Sequence, residues 1–515
     1  MCLIVKTVCT SSACDLNKIN KNKYNQFEKR DGSIFSNVID GDKIITDEAQ
    51  VHKLLIESLK LIQRDITRPM YEELTPIPFP NLKPVTKEEM KQILKIITRN
   101  KALAGDLVSD SILGEAHHIE RTSEILRDLW CGLQIDKIHF KCRLIALNKK
   151  HPEMPQSDQF RPIVVSSLLM KILEARLVEP LKNSMMNRLH ISQTGFVHGM
   201  DAHVNVHRLL TYLHNRRSRG LRSYLLFLDF SSAYNTVIHQ KLFEILINKS
   251  ILSPSEVQLL MAIYSRNSIE LGDQTFQPNV GLAQGSIISP FLFNVYSESL
   301  LTSLESNGWK AQDLYAFADD HLTVNDSLNK LRQAISLVQT WGADNNIKLN
   351  PSKSGIVEIS PKYQRCALEI GAMFQGIPVV DSYKYLGVWI DQKLTPRKHI
   401  EYLFGTKNGK KKGKINFLTQ CLSPSFKSIS FDYGINLWLT FIKPLFLPLT
   451  TEASISTQTE KEEIQTKLRI SLKKFLRLPK NFSTYILSQV FPLDWRITSI
   501  NGMQGPKDSQ LRAST

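Results

Sequence analysis

Three acidic residues lie where neighbouring apolar runs would hold them near one another. Asp229 follows the apolar run of LLFLDF, and Asp319 and Asp320 lie between the two apolar arms of LYAFADDHLTV. Carboxylates held together repel one another, and divalent cations relieve that repulsion. Two ions about 4 Å apart can clamp the attacking and leaving oxygens of an in-line phosphoryl transfer. An Asp-Asp pair alone is more often a plain turn, because Asp favours turns.

The elements that would position these acids are readable from the spacing of apolar residues. Tyr224–Asp229 predicts a β-strand, and Leu314–Val324 predicts a hairpin with Asp319 and Asp320 at its tip. Thr86 and Glu89 form a capping-box pattern at the start of a helix. Further strands are predicted at 142–148, 162–166, Gly355–Ile359 and Tyr383–Trp389, and helices at 47–62, 168–184, 238–248, 255–264, 287–303, 328–341 and around 464–475.

Composition indicates an ordinary globular protein of two to four domains or subdomains. The chain has 515 residues, of which 42% are apolar and 22% charged. Its net charge of +16 favours a polyanionic partner, nucleic acid before membrane, although a plain basic surface stays open as the alternative. The longest later apolar stretch, Leu437–Leu449, contains Lys443 and two prolines, so no membrane partner is expected.

The seven cysteines are scattered and form no CxxC pair. The sequence therefore predicts neither a zinc knuckle nor a disulfide framework. An odd number of unpatterned cysteines fits a reducing, intracellular compartment. Residues 1–40 are polar and without strong periodicity, and they are predicted to be a poorly ordered tail.

Seven motifs in order turn the weak Asp-Asp signal into a specific one. Between about Pro84 and Asp391 the chain resembles the reverse transcriptases, particularly those of non-LTR (LINE-type) retrotransposons. The motifs are FRPIVVSSLLMKILEARL (160–177), QTGFVHG (193–199), LDFSSAYN (228–235), GLAQGSIISPFLFN (281–294), FADD (317–320), IKLNPSKSGIV (347–357) and YKYLGVWID (383–391).

The resemblance implies an α+β fold of the right-hand polymerase type. Its palm would be a mainly antiparallel sheet that bears the aspartates and has helices on one face. The expected division is an N-terminal extension over 1–83, fingers over 84–220, palm over 221–391, and a basic, mostly helical thumb and C-terminal region over 392–515. A retroelement enzyme would also need access to the nucleus.

The implied activity is RNA-directed DNA polymerisation, with an RNA template, a DNA or RNA primer and dNTPs. Asp229, Asp319 and Asp320 would hold two Mg²⁺ ions, for which Mn²⁺ could substitute, and the Phe230 carbonyl would contribute to one ion. Lys353 would act as a general acid on the pyrophosphate leaving group.

Other positions carry over to the incoming nucleotide. Arg161 matches the residue that grips the triphosphate, with a surface ion pair as the alternative. Tyr234 matches the aromatic residue that excludes a 2′-hydroxyl, with a core aromatic as the alternative. Gln284 and Gly285 match the pair that lies against the nucleotide and templating base. Lys149 and Lys150 lie where the family has a basic pair, although surface lysines are common.

The last group of positions would contact nucleic acid. Tyr385, Leu386 and Gly387 match the primer grip. The basic stretch 393–416 follows it and is interpreted as a thumb segment that neutralises backbone phosphates, with a solvated loop as the alternative. The residues expected to do so are Arg397, Lys398, Lys410, Lys411 and Lys412.

Some features depart from the family pattern. Ala283 replaces a frequent proline, Asn235 replaces a frequent acid, and the loop containing Asp106 lacks the family's proline and most of its glycines. No nuclease segment is recognised, so a fragment, a degenerate copy, and a polymerase with a nuclease supplied elsewhere all stay open. The competing functions are an RNA-templated RNA polymerase, an inactive nucleic-acid-binding remnant, and an enzyme of the group II intron type.

Overall fold

The computed structural model describes residues 37–41, 43–64, 86–97, 140–149, 153–405, 413–422, 431–446, 458–479 and 481–483. The chain forms two compact units, each built from two separate stretches. Unit 1 takes Met1–Leu181 and Tyr234–Ser289, and unit 2 takes Lys182–Ala233 and Pro290–Thr515. The division at 83, 220 and 391 stays a prediction, because compactness alone does not assign fingers or palm.

The strands and helices of the described residues are numbered in chain order. The strands are β1 Val38–Asp40, β2 Lys43–Ile45, β3 Lys141–Asn148, β4 Phe160–Val165, β5 Ser223–Leu228, β6 Phe230–Ser231, β7 Ser268–Leu271, β8 Gln274–Phe276, β9 Leu314–Phe317, β10 Asp320–Asn325, β11 Lys348–Leu349, β12 Gly355–Ile359, β13 Met373–Phe374, β14 Ile377–Pro378, β15 Ser382–Tyr385 and β16 Val388–Asp391. The helices are α1 Glu48–Arg64, α2 Lys87–Ile96, α3 Leu168–Arg188, α4 Ala202–Ser218, α5 His239–Asn248, α6 Pro254–Tyr264, α7 Ser289–Ser306, α8 Leu328–Asp344, α9 Arg397–Phe404, α10 Lys414–Leu422, α11 Phe431–Phe441 and α12 Gln458–Phe475.

Most predicted elements are confirmed within a few residues. The strand at Gly355–Ile359 has the predicted bounds, and Thr86 forms the predicted capping box with Glu89. The N-terminal tail was predicted to extend to residue 40, which is wrong at its end, because Val38–Asp40 pairs with β2 as an antiparallel strand. The β-rich piece at Tyr383–Trp389 proves to be part of a hairpin formed by β15 and β16.

Unit 1 is organised around a four-stranded sheet in the order β4-β3-β7-β8. Strand β3 pairs antiparallel with β4 and parallel with β7, and β7 pairs antiparallel with β8. Along β3 the side chains of Cys142, Leu144 and Ala146 are buried while alternate positions are more exposed, as expected for a strand with one covered face. This sheet carries Arg161 on β4.

Unit 2 contains the four-stranded sheet β12-β5-β10-β9, and all three of its strand pairs are antiparallel. This confirms the mainly antiparallel palm sheet. On one face, Phe227 belongs to a hydrophobic core that includes Leu209 of α4 and Val388 of the β15–β16 hairpin.

The opposite face of this sheet is also covered by a helix. His321 of β10 contacts the ring of Phe230 (centroids 5.6 Å apart), and Phe230 contacts Trp341 of α8 (5.9 Å). The prediction of helices on one face is therefore wrong. The physical reason is that all six residues of β5 are buried, so both faces of this central strand need apolar cover.

The described residues at the C-terminal end of unit 2 form the helices α9 to α12, and their assignment to a thumb stays a prediction. Their core includes Leu403, Leu418 and Trp438, each at most 5% exposed. The helix predicted around 464–475 is confirmed, and its apolar residues Ile464, Leu468, Leu472 and Phe475 are buried in the same core. Among the described helices, none combines the length and apolar character needed to cross a membrane.

We predict that Asn205→Ala destabilises unit 2. Asn205 is fully buried, and its Nδ2 donates to Thr194 Oγ1 (2.7 Å) and to the Ala316 carbonyl (3.2 Å), while its Oδ1 accepts from the Tyr385 hydroxyl (3.2 Å). Removing the amide leaves buried polar partners unsatisfied, so the free energy of unfolding should fall by about 1–3 kcal/mol.

Urea denaturation measures this change, with Asn215→Ala as the matched control because Asn215 is exposed on the same helix. The control should change the free energy of unfolding by less than about 0.5 kcal/mol. Equal effects of the two substitutions would show that the Asn205 bonds do not hold the fold.

Candidate active site

The register of the unit 2 sheet brings the predicted carboxylates together. Strands β5 and β10 are antiparallel with His321 opposite Leu228. Continuing this register by one residue sets Asp320 opposite Asp229, and Cβ atoms in such facing pairs lie about 4.5–5.5 Å apart. Asp319 occupies the adjacent turn between β9 and β10, where Ala318 has a φ of 55°.

The charges of these residues act on one another. Loss of solvent around its carboxyl group, followed by the charges of Asp319 and Asp229, raises the pKa of Asp320 from 3.8 to about 6. Asp319 and Asp320 keep solvent contact as whole residues, so water screens part of this repulsion. The cluster thus concentrates negative charge at the ends of β5 and β10.

The donor set suits a hard divalent cation. Carboxylate and carbonyl oxygens are the ligands that Mg²⁺ and Mn²⁺ prefer. Among the described residues, no three Asp, Glu, His or Cys side chains already stand close enough together to hold an ion. The Phe230 ring is buried against His321 and Trp341, which supports the backbone beside Asp229.

The backbone of Asp229 is held on both sides by one turn. Its N–H donates to Ser354 Oγ (3.1 Å), and its carbonyl accepts from the Asn350 N–H (2.8 Å). The turn closes on itself, because the N–H groups of Lys353 and Ser354 both donate to the Asn350 carbonyl. Sequence reasoning missed Asn350 and Ser354. The signal available was the Asn-Pro-Ser turn chemistry of NPSKS.

Tyr383 links this turn to the sheet. Its ring stacks on Phe227 with centroids 4.3 Å apart, and its hydroxyl donates to the Lys353 carbonyl (2.7 Å). Burial, followed by the charges of Asp229 and Asp320, raises the pKa of the Tyr383 hydroxyl. Tyr383 therefore lies close enough for the charges of Asp229 and Asp320 to affect the pKa of its hydroxyl, which stays protonated. Lys353 itself has an exposed side chain.

Of the three residues predicted to form the primer grip, one is buried in the core and two form a turn near the surface. Tyr385 is 3% exposed and its hydroxyl donates to Asn205, so its side chain serves the core of unit 2. Leu386 and Gly387 form the hairpin turn, with φ values of 46° and 87°. Gly387 is exposed and Leu386 is half-buried, so the turn is the accessible part of this motif.

Unit 1 brings a second set of predicted residues together. The Gln284 carbonyl accepts from the Val164 N–H (2.7 Å), which sets the loop against β4, the strand that carries Arg161. Gly285 has a φ of 125°, and a Cβ there would collide with the Val164 carbonyl. Glycine is required at this position for both reasons. Arg161 is exposed and forms no ion pair with any described residue.

The other site residues predicted in this part of the sequence are Tyr234, Lys149, Lys150 and Asp106. Tyr234 is half-buried in a 3₁₀ turn over Ala233–Thr236, and its carbonyl accepts from the Leu282 N–H (2.6 Å). Lys149 is exposed in the turn after β3. Lys150 and Asp106 lie outside the described residues.

Of the five basic residues expected to contact backbone phosphates, the two that are described, Arg397 and Lys398, differ in availability. Lys398 Nζ forms an ion pair with Asp381 (2.6 Å) and donates to Ser382 Oγ (2.7 Å). The same contact lowers the pKa of Asp381. Arg397 is exposed at the start of α9. Lys410, Lys411 and Lys412 lie outside the described residues.

Comparison with known proteins decides the family. Residues 147–390 match the reverse transcriptase (RNA-dependent DNA polymerase) family. These residues are a reverse transcriptase domain. The chain is 22% identical to the RNA-directed DNA polymerase from mobile element jockey of Drosophila funebris, over 81% of this chain and 46% of that protein. It is 26% identical to the Pol polyprotein from type-1 retrotransposable element R2 of Popillia japonica, over 47% of this chain and 36% of that protein.

The chain spans less than half the length of these two curated relatives. A solved structure of apo telomerase from Candida tropicalis is 12% identical, covers 75% of this chain and 72% of that chain, and has a TM-score of 0.40. The reverse transcriptase domain is of the non-LTR retrotransposon type and has the right-hand polymerase fold, as the motifs predicted. Its family uses divalent metal ions.

We predict that Asp320→Asn stabilises the protein in buffer without divalent ions. Because the pKa of Asp320 is about 6 in the folded protein and 3.8 ordinarily, ionisation of this group opposes folding above about pH 6 and ceases to do so near pH 4. The melting temperature of the variant should exceed that of the wild type at pH 7.5, and the difference should shrink at pH 4.

Scanning calorimetry measures these melting temperatures, and Asp326→Asn, an exposed residue after β10, is the control. Added Mg²⁺ should raise the melting temperature of the wild type more than that of Asp320→Asn, because an ion that binds the folded state stabilises it. A difference between Asp320→Asn and the wild type that does not vary with pH would contradict the repulsion.

We further predict that Ser354→Ala lowers kcat. The change removes the acceptor of the Asp229 N–H, and misplacing this carboxylate should reduce kcat about tenfold and raise the Mg²⁺ concentration for half-maximal rate. Steady-state primer extension measures both values. Ser352→Ala is the matched control, because Ser352 is exposed in the same turn and its hydroxyl donates to Asn350 Oδ1. Equal losses in the two variants would rule out this role of Ser354.

Proposed function

We propose that this chain is an RNA-directed DNA polymerase that adds deoxynucleotides to a primer 3′-hydroxyl, using two Mg²⁺ ions, for which Mn²⁺ can substitute. The observation that carries the proposal is the cluster of Asp229, Asp319 and Asp320 at the ends of β5 and β10, within a domain of the reverse transcriptase family. The RNA template, the primer and dNTPs are its proposed partners, as the named activities of the jockey relatives suggest.

Asp229, Asp319 and Asp320, with the Phe230 carbonyl, would hold the ions. When bound, the ions would stabilise the charge on the attacking and leaving oxygens of the transfer. The protein's own contribution is positioning. Strand register sets Asp320 opposite Asp229, and the Asn350–Ser354 turn fixes the Asp229 backbone. Lys353, exposed in that turn, is the proposed proton donor to the pyrophosphate.

Unit 1 supplies the proposed nucleotide-binding groups. Arg161 would pair with triphosphate oxygens through its planar guanidinium. Gln284 and Gly285, held against β4, would present a polar but uncharged surface to the base. The Tyr234 ring would exclude a ribose 2′-hydroxyl. Lys149 is an exposed candidate for phosphate contact, and Lys150 remains one by its position in the sequence.

Backbone phosphates of the template–primer duplex are the proposed ligands of the basic C-terminal segment. Arg397 is the exposed described residue best suited to this contact, whereas Lys398 is held by Asp381. Lys410, Lys411 and Lys412 are proposed to add to this surface. Binding of this kind is independent of sequence and weakens with salt. Leu386 and Gly387 would support the primer end.

The primary test is primer extension on an RNA template with dNTPs. The wild type should extend the primer with Mg²⁺ or Mn²⁺, and Asp319→Asn/Asp320→Asn should lose at least about 1,000-fold in rate, because the ligands of the ions are removed. Asp326→Asn is the control for a nearby exposed acid. Extension that survives the double substitution would refute the metal assignment, and a wild type that extends no primer would favour an inactive remnant.

Sugar selection is tested by single-turnover incorporation of dNTP and rNTP. Tyr234→Ala should raise the rate of rNTP incorporation relative to dNTP by about tenfold or more, because the excluded 2′-hydroxyl gains space. Tyr363→Ala is the control, because Tyr363 is fully exposed. A wild type that prefers rNTP would instead indicate an RNA-templated RNA polymerase, and an unchanged ratio in Tyr234→Ala would place the selection elsewhere.

A further inference from the structure

A buried carboxylate in unit 1 has no part in the proposed chemistry. Glu174, in α3, is 5% exposed. Its Oε2 accepts from the Ile287 N–H (3.2 Å), and its carboxyl group is also hydrogen-bonded to the Ser286 side chain. Burying a carboxylate is unfavourable unless it is hydrogen-bonded or paired. These two bonds therefore tie Glu174 to the loop that carries Gln284 and Gly285.

The loop is held from two directions. On one side, the Gln284 carbonyl accepts from the Val164 N–H, and Gly285 lies so close to β4 that no side chain fits. On the other side, Glu174 binds Ser286 and Ile287. Residues 284–287 are consecutive, so a shift of the Ser286–Ile287 backbone moves the Gln284 side chain with it.

We propose that Glu174 is a positioning residue, whose carboxylate fixes the Ser286–Ile287 backbone and thereby sets the affinity of Gln284 and Gly285 for the incoming nucleotide. The inference rests on the proposed nucleotide-binding role of Gln284 and Gly285. It assigns to α3 a function beyond packing, because the helix then controls a binding loop through two hydrogen bonds.

Protonation of Glu174 should make nucleotide binding depend on pH, which a residue that only packs in the core would not do. Burial raises the pKa of Glu174 to about 7, against the opposing effects of the Ser286 and Ile287 bonds and of Lys171 on the same helix. The carboxylate is the better acceptor, so the loop is held more firmly above pH 7 than below it.

Tyr264 and His239, two described titratable residues that neighbour Glu174, do not mimic this pH dependence. Burial, followed by the charge of Glu174, raises the pKa of Tyr264 of α6, so Tyr264 stays neutral. His239 of α5 packs on Tyr264 (4.5 Å) and lies 2.7 Å from the Gly281 carbonyl, at the start of the same motif. Burial lowers the pKa of His239 to about 4, so it is uncharged near pH 7.

The first test compares the KM for dNTP in primer extension between pH 6 and pH 8. Glu174→Leu should raise the KM about tenfold with little change in kcat, because the Ile287 N–H loses its acceptor. Glu174→Gln keeps an acceptor, so at pH 8 its KM should stay within about threefold of wild type. The wild-type KM should rise as the pH falls through 7, and this rise should be absent in Glu174→Gln. Ser286→Ala should raise the KM in the same direction as Glu174→Leu.

The matched control is Glu358→Gln. Glu358 is also buried and accepts from backbone N–H groups, those of Ala367 and Leu368, but it binds a different loop. Its substitution should leave the KM for dNTP and its pH dependence unchanged. Melting temperatures of all variants show which of them are folded. Equal KM values for wild type, Glu174→Leu and Ser286→Ala, or a pH dependence retained in Glu174→Gln, would overturn the proposal.

Amide hydrogen exchange over residues 283–289 separates this inference from the proposed function. Glu174→Leu should speed exchange of the Ile287 amide at least about tenfold, whether or not the protein polymerises, because its hydrogen bond is lost. A wild type without polymerase activity would refute the proposed function alone. Unchanged exchange of Ile287 in both Glu174→Leu and Ser286→Ala would refute the positioning role of Glu174.

Discussion

Mutual repulsion among three carboxylates is a constraint that the packing of the unit 2 sheet has to overcome. Asp229 and Asp320 face each other across β5 and β10, with Asp319 in the adjoining turn. Burial, followed by the charges of Asp319 and Asp229, raises the pKa of Asp320. Such an arrangement opposes folding by itself, so apolar packing elsewhere in the sheet must hold the strands in register.

The surrounding residues fix the backbone on which these carboxylates lie. Phe227 stacks on Tyr383, and Asn205 ties α4, β9 and Tyr385 together through buried hydrogen bonds. The turn beginning at Asn350 clamps the Asp229 backbone from both sides. The backbone that carries the carboxylates is thereby kept in place, and fixed ligand positions are what two-metal catalysis requires.

Local sequence signals predicted much of this structure. The β12 strand follows from its β-branched residues Ile356, Val357 and Ile359, and the start of α2 follows from its capping box. Contacts between distant residues were not predictable, because nothing in the sequence pairs Ser354 with Asp229 or Glu174 with Ile287. Likewise, burial of β5 on both faces depends on which helices pack there, and the burial of Tyr385 depends on Asn205, 180 residues away.

The central claim is that the aspartates at the ends of β5 and β10 bind two divalent ions. Its most direct test is the anomalous difference map from crystals of the protein with an RNA template, a DNA primer, a non-hydrolysable dNTP and Mn²⁺. We expect two peaks about 4 Å apart, within coordination distance of Asp229 and of Asp319 or Asp320. Peaks bound by other residues, or no peak beside these aspartates in a complex that holds primer and nucleotide, would contradict the account.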